Sequence, residues 1–315
     1  MGKPYKLTFM PLIKARIPYD KFIVEEIVEY IASLDPPIYF PPLFSNIKEV
    51  YFNQLVEQKV LLYRNEQYVL PQNISRYITR RIDIDIPEYR EAALLLKELG
   101  VEYKGVIVPG IFYTLSSVNI EDNIHNSIDK IVHIIAKIIN NLSDIGYNVS
   151  LLYEEKLDSQ TGFQENKLSL GIICEAYNNL VSLINTSING VLFCDRTPPL
   201  YITAILDTKI DFLVFNPLLY SKNELETLSS YFIESNITKN VILSLIEYDK
   251  PIGTYIDKII FSLELLKKQI FALTNTCRVW SFIKDYNSLI NVLNTLRENY
   301  DDIISIVSRT RIFKR

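Results

Sequence analysis

Apolar runs of strand length, separated by longer amphipathic segments, recur from Lys104 to the C-terminus. No other feature constrains the fold as much. A strand buried on both faces reads as an unbroken apolar run, and a crossover helix reads with a period of 3.6 residues. The stretch "KGVIVPG" (104–110) has the first pattern and is stopped by Pro109 and Gly110. The stretch 120–146 has the second, with Ile124, Ile128, Ile131, Ile135 and Ile138 at spacings of three and four. Gly146 is placed to end that helix. Strands are then predicted at 147–153, 190–194, 210–215, 240–247 and 277–282. Helices are predicted at 168–184, 198–208, 222–235 and 253–273, with Ser221 as an N-cap. Helical sequence follows the last strand to the C-terminus.

Two more strand candidates precede these, "YKLTFMPLI" (5–13) and "PPIYF" (36–40), with helices expected at 19–33 and 46–58. Eight strand–helix units predict an α/β fold, a single (β/α)8 TIM-type barrel over residues 1–315. An open doubly wound sheet is the rival, but no GxGxxG follows any strand. Residues 59–86 break the rhythm and read as an insertion. Within it "KVLLYRNEQYVLP" reads as a hairpin turning at Arg64-Asn65.

Bulk properties narrow the function. Hydrophobic residues make up 48% and charged residues 22%, a composition that folds. The formal net charge of −4 offers no basic field for nucleic acid or an anionic membrane. No apolar run reaches the length of a membrane span, and the N-terminal residues lack the core of a signal peptide. The three cysteines, Cys174, Cys194 and Cys277, include no CxxC pair, and a reducing, cytoplasmic location is expected. Abundant Tyr and Ile with scarce Gly and Met resemble proteins of heat-loving archaea.

A barrel of this kind carries its site at the C-terminal ends of its strands. There the sequence places Tyr153-Glu154-Glu155, Cys194-Asp195-Arg196, Asn216-Pro217, Glu247-Tyr248-Asp249 and Cys277-Arg278. Cys174 falls inside a helix and reads as a packed thiol. Cys194 and Cys277 read as small apolar residues closing the mouth. Asp195 and Arg196 read as a turn pair, as a clamp on a ligand, or with Arg196 reaching Glu154 or Glu155. Adjacent strand residues face opposite ways, so Glu154 and Glu155 are not expected to work as an acid–base pair. Arg76, Arg80 and Arg81 near Tyr77 read as a solvated insertion, or as a contact for an anionic tail.

Over roughly residues 100–300 this frame resembles the cobalamin-independent methionine synthase family, in its zinc barrel. "YKGVIVPG" is similar to that family's "KGMLTGP" strand, and "GYNVSLLYEEKL" (146–157) to its "IQIDEPAL" strand. "GVLFCD" (190–195) falls on the strand with a His-x-Cys metal pair, "DFLVFNP" (211–217) on the strand ending in a Glu ligand, and "LTNTCRVW" (273–280) on "NPDCG". The resemblance implies Cys194 and Cys277 as zinc ligands, with the expected His and Glu replaced by Leu192 and Asn216. It implies Tyr153, Glu154, Asp195, Arg196 and Asn216 as ligand-binding residues and a reduced folate as ligand. With two of four zinc ligands gone, it implies a non-catalytic or accessory barrel that binds folate or a methionine synthase subunit. The alternative is an active zinc methyltransferase moving a methyl group from a reduced folate to homocysteine. Its third ligand would come from Glu154, Asp195, Glu247 or Asp249. A second alternative is a uroporphyrinogen-decarboxylase-like enzyme, for which Lys14 and Arg16 would supply the basic first strand end.

Overall fold

The structure is a computed structural model that describes residues 7–73, 81–155, 170–234 and 239–310. Its centre is a parallel sheet of six strands: β3 (Gly105–Pro109), β5 (Val149–Glu154), β6 (Ile188–Phe193), β7 (Phe212–Phe215), β8 (Asn240–Ile246) and β9 (Ile270–Asn275). The strands pair in that order. Strands β3, β5, β6 and β7 are buried along nearly their whole length, as their unbroken apolar runs require.

The two edges of this sheet are joined through two extended N-terminal segments. Phe9 bridges Leu273 of β9, Lys14 bridges Leu43, and Tyr39 bridges Lys104 beside β3, all in parallel. Each bridge rests on two backbone bonds, among them Leu273 N donating to Thr8 O (2.8 Å), Leu43 N to Ile13 O (3.0 Å) and Gly105 N to Tyr39 O (2.7 Å). These segments make single rungs instead of ladders for a covalent reason. Pro11, Pro36, Pro37, Pro41 and Pro42 have no N–H to donate. The ring completes the expected TIM-type barrel, with the two proline-rich segments standing where strands 5–13 and 36–40 were predicted.

Helices pack outside the sheet: α1 (Lys21–Ser33), α2 (Asn53–Glu57, extending a π-helical turn Lys48–Phe52), α3 (Pro87–Glu98), α4 (Ile111–Ser117), α5 (Ile124–Asp144), α6 (Leu170–Leu183), α7 (Pro199–Leu206), α8 (Lys222–Glu234), α9 (Ile256–Leu266) and α10 (Tyr286–Thr310). Asp20 caps α1 by accepting from Phe22 N at 2.9 Å. Gly146, at φ 110°, ends α5 as its position implies. Ser221 and Glu224 form a reciprocal capping box on α8, with Ser221 N donating to Glu224 Oε2 at 2.9 Å. The buried apolar side chains form one contiguous cluster from Leu7 to Val307.

The insertion holds the predicted hairpin, β1 (Leu62–Arg64) and β2 (Gln67–Leu70). The turn residues are Asn65 and Glu66, both at positive φ, one position beyond the predicted turn. A short strand β4 (Val118–Ile120) pairs in parallel with β2 and ties the hairpin to the barrel.

One assignment is corrected. The predicted helix 253–273 ends at Leu266, and the last strand is β9, not 277–282. The apolar period of α9 runs on into "IFALTN", which hides the break, but the chain turns at Lys267-Lys268 with Gln269 N bonded to Leu266 O. "CRVWSF" alternates as a strand would, yet β9 already fills the place beside β8. Cys277–Phe282 winds instead into a 3-10 helix over the barrel mouth.

Asn275 holds the first segment to β9. Its side chain accepts from Leu12 N and donates to Leu12 O, both at 2.8 Å, and it is fully enclosed. The Trp280 indole N–H donates to the same Leu12 carbonyl at 2.8 Å. Truncation in Asn275→Ala strands a buried backbone donor, and we expect it to lower unfolding free energy by about 2–3 kcal/mol in urea titrations. A loss below about 0.5 kcal/mol would show that water replaces the clasp.

Candidate functional site

The strands deliver their C-terminal ends to a pocket of about 820 Å³. Tyr153 and Glu155 after β5, Cys194, Asp195 and Arg196 after β6, Asn216 after β7, Glu247 after β8 and Cys277 after β9 line it. Lys14 and Arg16 enter from the first segment, with Lys250, Arg278 and Lys284 on the rim. Six basic side chains therefore face three acidic ones, in a chain whose net charge is −4. Bases outnumber acids in the lining, with Arg16, Arg196 and Arg278 paired to Glu49, Glu224 and Asp249 outside it.

Lys14 is the most distinctive of these cations. Its ammonium lies 5.0 Å from the Tyr153 ring centre and 4.6 Å from that of Trp280. Burial pulls its pKa below the usual lysine value; Glu155 opposes this and Arg16 adds to it. The two rings lie 5.9 Å apart, and Tyr113 packs edge-on to Tyr153 at 4.9 Å. Burial, with Glu155 second, pushes the Tyr153 phenol well above its ordinary value. Trp280 is fixed by its bond to Leu12, two residues before Lys14, so one clasp sets both cation and ring.

Glu154 lies apart from the pocket. It points outward between β5 and α4, 1% exposed. Its carboxylate accepts from Tyr113 N (2.6 Å), Phe112 N (3.3 Å) and the Tyr177 hydroxyl (2.6 Å). Gly110 makes room for it, since a Cβ there would sit 2.3 Å from the Glu154 carboxyl. Burial raises its pKa from 4.5 to about 7, with the Tyr177 and backbone hydrogen bonds opposing. Of the predicted ligand-binding residues, Glu154 is thus engaged in holding α4, and Glu155 turns the other way into the pocket.

Arg196 does not reach Glu154 or Glu155. It pairs with Glu224 at the α8 capping box and lies over the Tyr220 ring at 5.9 Å. The Tyr220 hydroxyl in turn holds both backbone groups of Thr197. Asp195 remains in the pocket lining. Asn216 is nearly enclosed, and its Oδ1 accepts from Leu218 N at 2.9 Å. Of the insertion's arginines, Arg81 pairs with Asp83 and Asp144, away from the pocket; Arg76, Tyr77 and Arg80 lie outside the described residues.

Cys194 and Cys277 meet, with Cα atoms 5.4 Å apart, and are joined as a disulfide. This corrects the expectation of unpaired thiols; Cys174 stays free, its sulfur donating to Ala204 O. Sequence spacing gave no sign of the pairing, because 83 residues separate the two. Leu192, paired in register with Tyr153, faces the interior below Cys194 and is buried. The exposed His125 and His133 sit on α5, outside the barrel. Among the described residues no three His, Cys, Asp or Glu side chains gather as a metal site needs. A joined cysteine pair offers no thiolate, so these residues do not fit a catalytic zinc ion.

No family model matches this chain, and no curated protein matches its sequence. Solved structures do match. A methyltransferase from Methanosarcina mazei aligns with a TM-score of 0.57 at 12% identity, over 94% of this chain and 95% of its own. A B12-independent methionine synthase from Shewanella sp. W3-18-1, in complex with selenomethionine, aligns at 0.51 and 12% identity, over 77% and 72%. A Listeria monocytogenes protein described as a vitamin-B12-independent methionine synthase aligns at 0.56 and 13% identity, over 88% and 86%. The chain shares the α/β barrel fold of these structures. At these identities the likeness is one of fold. Among the described residues no helix is long and apolar enough to cross a membrane.

The Glu154 shift fixes a pH dependence. The folded carboxyl binds its proton more tightly than the unfolded one, so its contribution is complete below pH 4.5 and is lost as pH rises through about 7. Between those values wild-type stability should fall by up to about 3 kcal/mol relative to Glu154→Gln. Urea unfolding of both proteins at pH 4.5, 6 and 8 checks this, and parallel profiles would refute it.

Proposed function

We propose that this chain is a non-catalytic or accessory barrel of the methionine-synthase type that binds a reduced folate at its strand ends. One observation carries the reading: the positions that resemble the family's zinc ligands hold a joined cysteine pair, a buried Leu192 and an engaged Asn216. The remaining lining suits a planar, carboxylate-bearing molecule. Tyr153 and Trp280 offer ring edges and faces, and Lys14 with the rim lysines offers charge. Asp195 and Asn216 add polar groups at the mouth.

Isothermal titration with a reduced folate polyglutamate tests this. Binding is expected in the micromolar range, weakened at least tenfold by Lys14→Gln. No heat with folate, together with capture of a methionine synthase subunit, would move the reading to partner binding. A second expectation concerns metal. Protein reduced, loaded with zinc and desalted should retain well under one equivalent. Stoichiometric zinc lost in Cys194→Ser would restore the active zinc methyltransferase acting on homocysteine.

Lys14 and Arg16 both enter the pocket, which favours a second reading as a uroporphyrinogen-decarboxylase-like barrel. Binding of a polycarboxylate tetrapyrrole in preference to folate would support it.

A further inference from the structure

The Cys194–Cys277 bond occupies an unusual position for a staple. It ties the end of β6 to the turn after β9, across the mouth, with β7 and β8 between them in the sheet. Both cysteines are partly exposed and line the pocket, so solutes in the pocket reach the bond. Buried disulfides resist exchange, whereas exposed ones belong to the labile, reactive class.

The surroundings add selectivity. Arg196 and Arg278 stand within two residues of the cysteines, and Lys14, Lys250 and Lys284 share the cavity. Glu224, Asp249 and Glu49 engage Arg196, Arg278 and Arg16 from outside the lining, and Lys14, Lys250 and Lys284 are the remaining cations of the pocket wall. A concave cationic site concentrates anions, and the thiolate is itself the attacking form of a thiol.

We propose that Cys194 and Cys277 form a redox-active cystine that exchanges with anionic low-molecular-weight thiols entering this pocket. The thiolate sulfur attacks one cysteine Sγ; the new S–S bond forms as the Cys194–Cys277 bond breaks. The other cysteine leaves as a thiolate and takes up a proton. A second thiol attacks the mixed disulfide and releases the small-molecule disulfide. Two thiols are oxidised by two electrons and the protein gains two cysteine thiols. The reverse sequence, with a low-molecular-weight disulfide as oxidant, restores the bond. The inference shares with the proposed function only the premise that the pocket admits anions.

The test uses the full chain carrying Cys174→Ser, oxidised with glutathione disulfide. Reduction by 3-mercaptopropionate and by cysteamine is followed at equal thiolate concentration, by alkylation and intact mass. The same ratio on urea-unfolded protein supplies the reference. The anionic thiol should be favoured about tenfold over that reference at low ionic strength. The preference should shrink toward one in high salt and in Lys14→Gln or the rim variant Lys284→Gln. Two free thiols that never join under oxidation would overturn the proposal, as would equal or cysteamine-favoured rates. Folded barrel that binds folate without this preference defeats the exchange alone. Preference without folate binding defeats the folate reading alone.

Discussion

Leu12 is held by three hydrogen bonds that come from one turn of chain, two from Asn275 and one from Trp280. Much of the molecule depends on that grip. The first segment has too many constraints to build a ladder, because proline and single rungs limit its pairing. Side chains supply what the backbone does not. They fix the segment against β9, and with it the barrel's last gap. They also bring Lys14 to the mouth and set the Trp280 ring beneath it. Fold and site thus share one polar contact, in an interior where an unmet donor is costly.

Most of the sheet was legible because burial on both faces leaves an unmistakable apolar run in a parallel strand. The hairpin and the caps at Ser221 and Gly146 were legible because special backbone geometry demands particular residues. The boundary at Leu266 was not, since α9 and β9 are both apolar there and periodicity cannot separate them. Helix α3 was not predicted, although Pro87 followed by Glu88 marks a start and Gly100, at positive φ, an end. Much of the site's meaning was hidden for a different reason. Tyr153, Asp195, Asn216 and both cysteines do reach one pocket, as strand-end positions imply. Which way Arg196 and Glu154 turn depends on Glu224, Tyr220 and Tyr177, residues distant in sequence that no local pattern announces.

The resemblance to methyltransferase barrels and the chemistry of the mouth pull in different directions, and the difference is instructive. Scaffold is retained at about one residue in eight, as the identities of the aligned structures show. Packing needs only apolar volume in the right period, and many sequences meet that demand. A metal site needs particular atoms at particular places. Leu192 packs in the interior with 1% of its surface exposed and has no atom that could hold a metal. One barrel fold can carry many unrelated chemistries.

The joined cysteines also bear on how the chain folds. They enclose a loop of 83 residues, and that loop contains β7, β8 and β9 in full. Closing so long a loop removes chain entropy from the unfolded state, about 4.5 kcal/mol in the loop-entropy model. That is a large share of what holds a domain together, commonly about 5–15 kcal/mol. Half of the central sheet is therefore tethered as a unit when the bond is closed and released when it opens. The lifetime of this barrel would then be set by the electron supply around it as much as by its core.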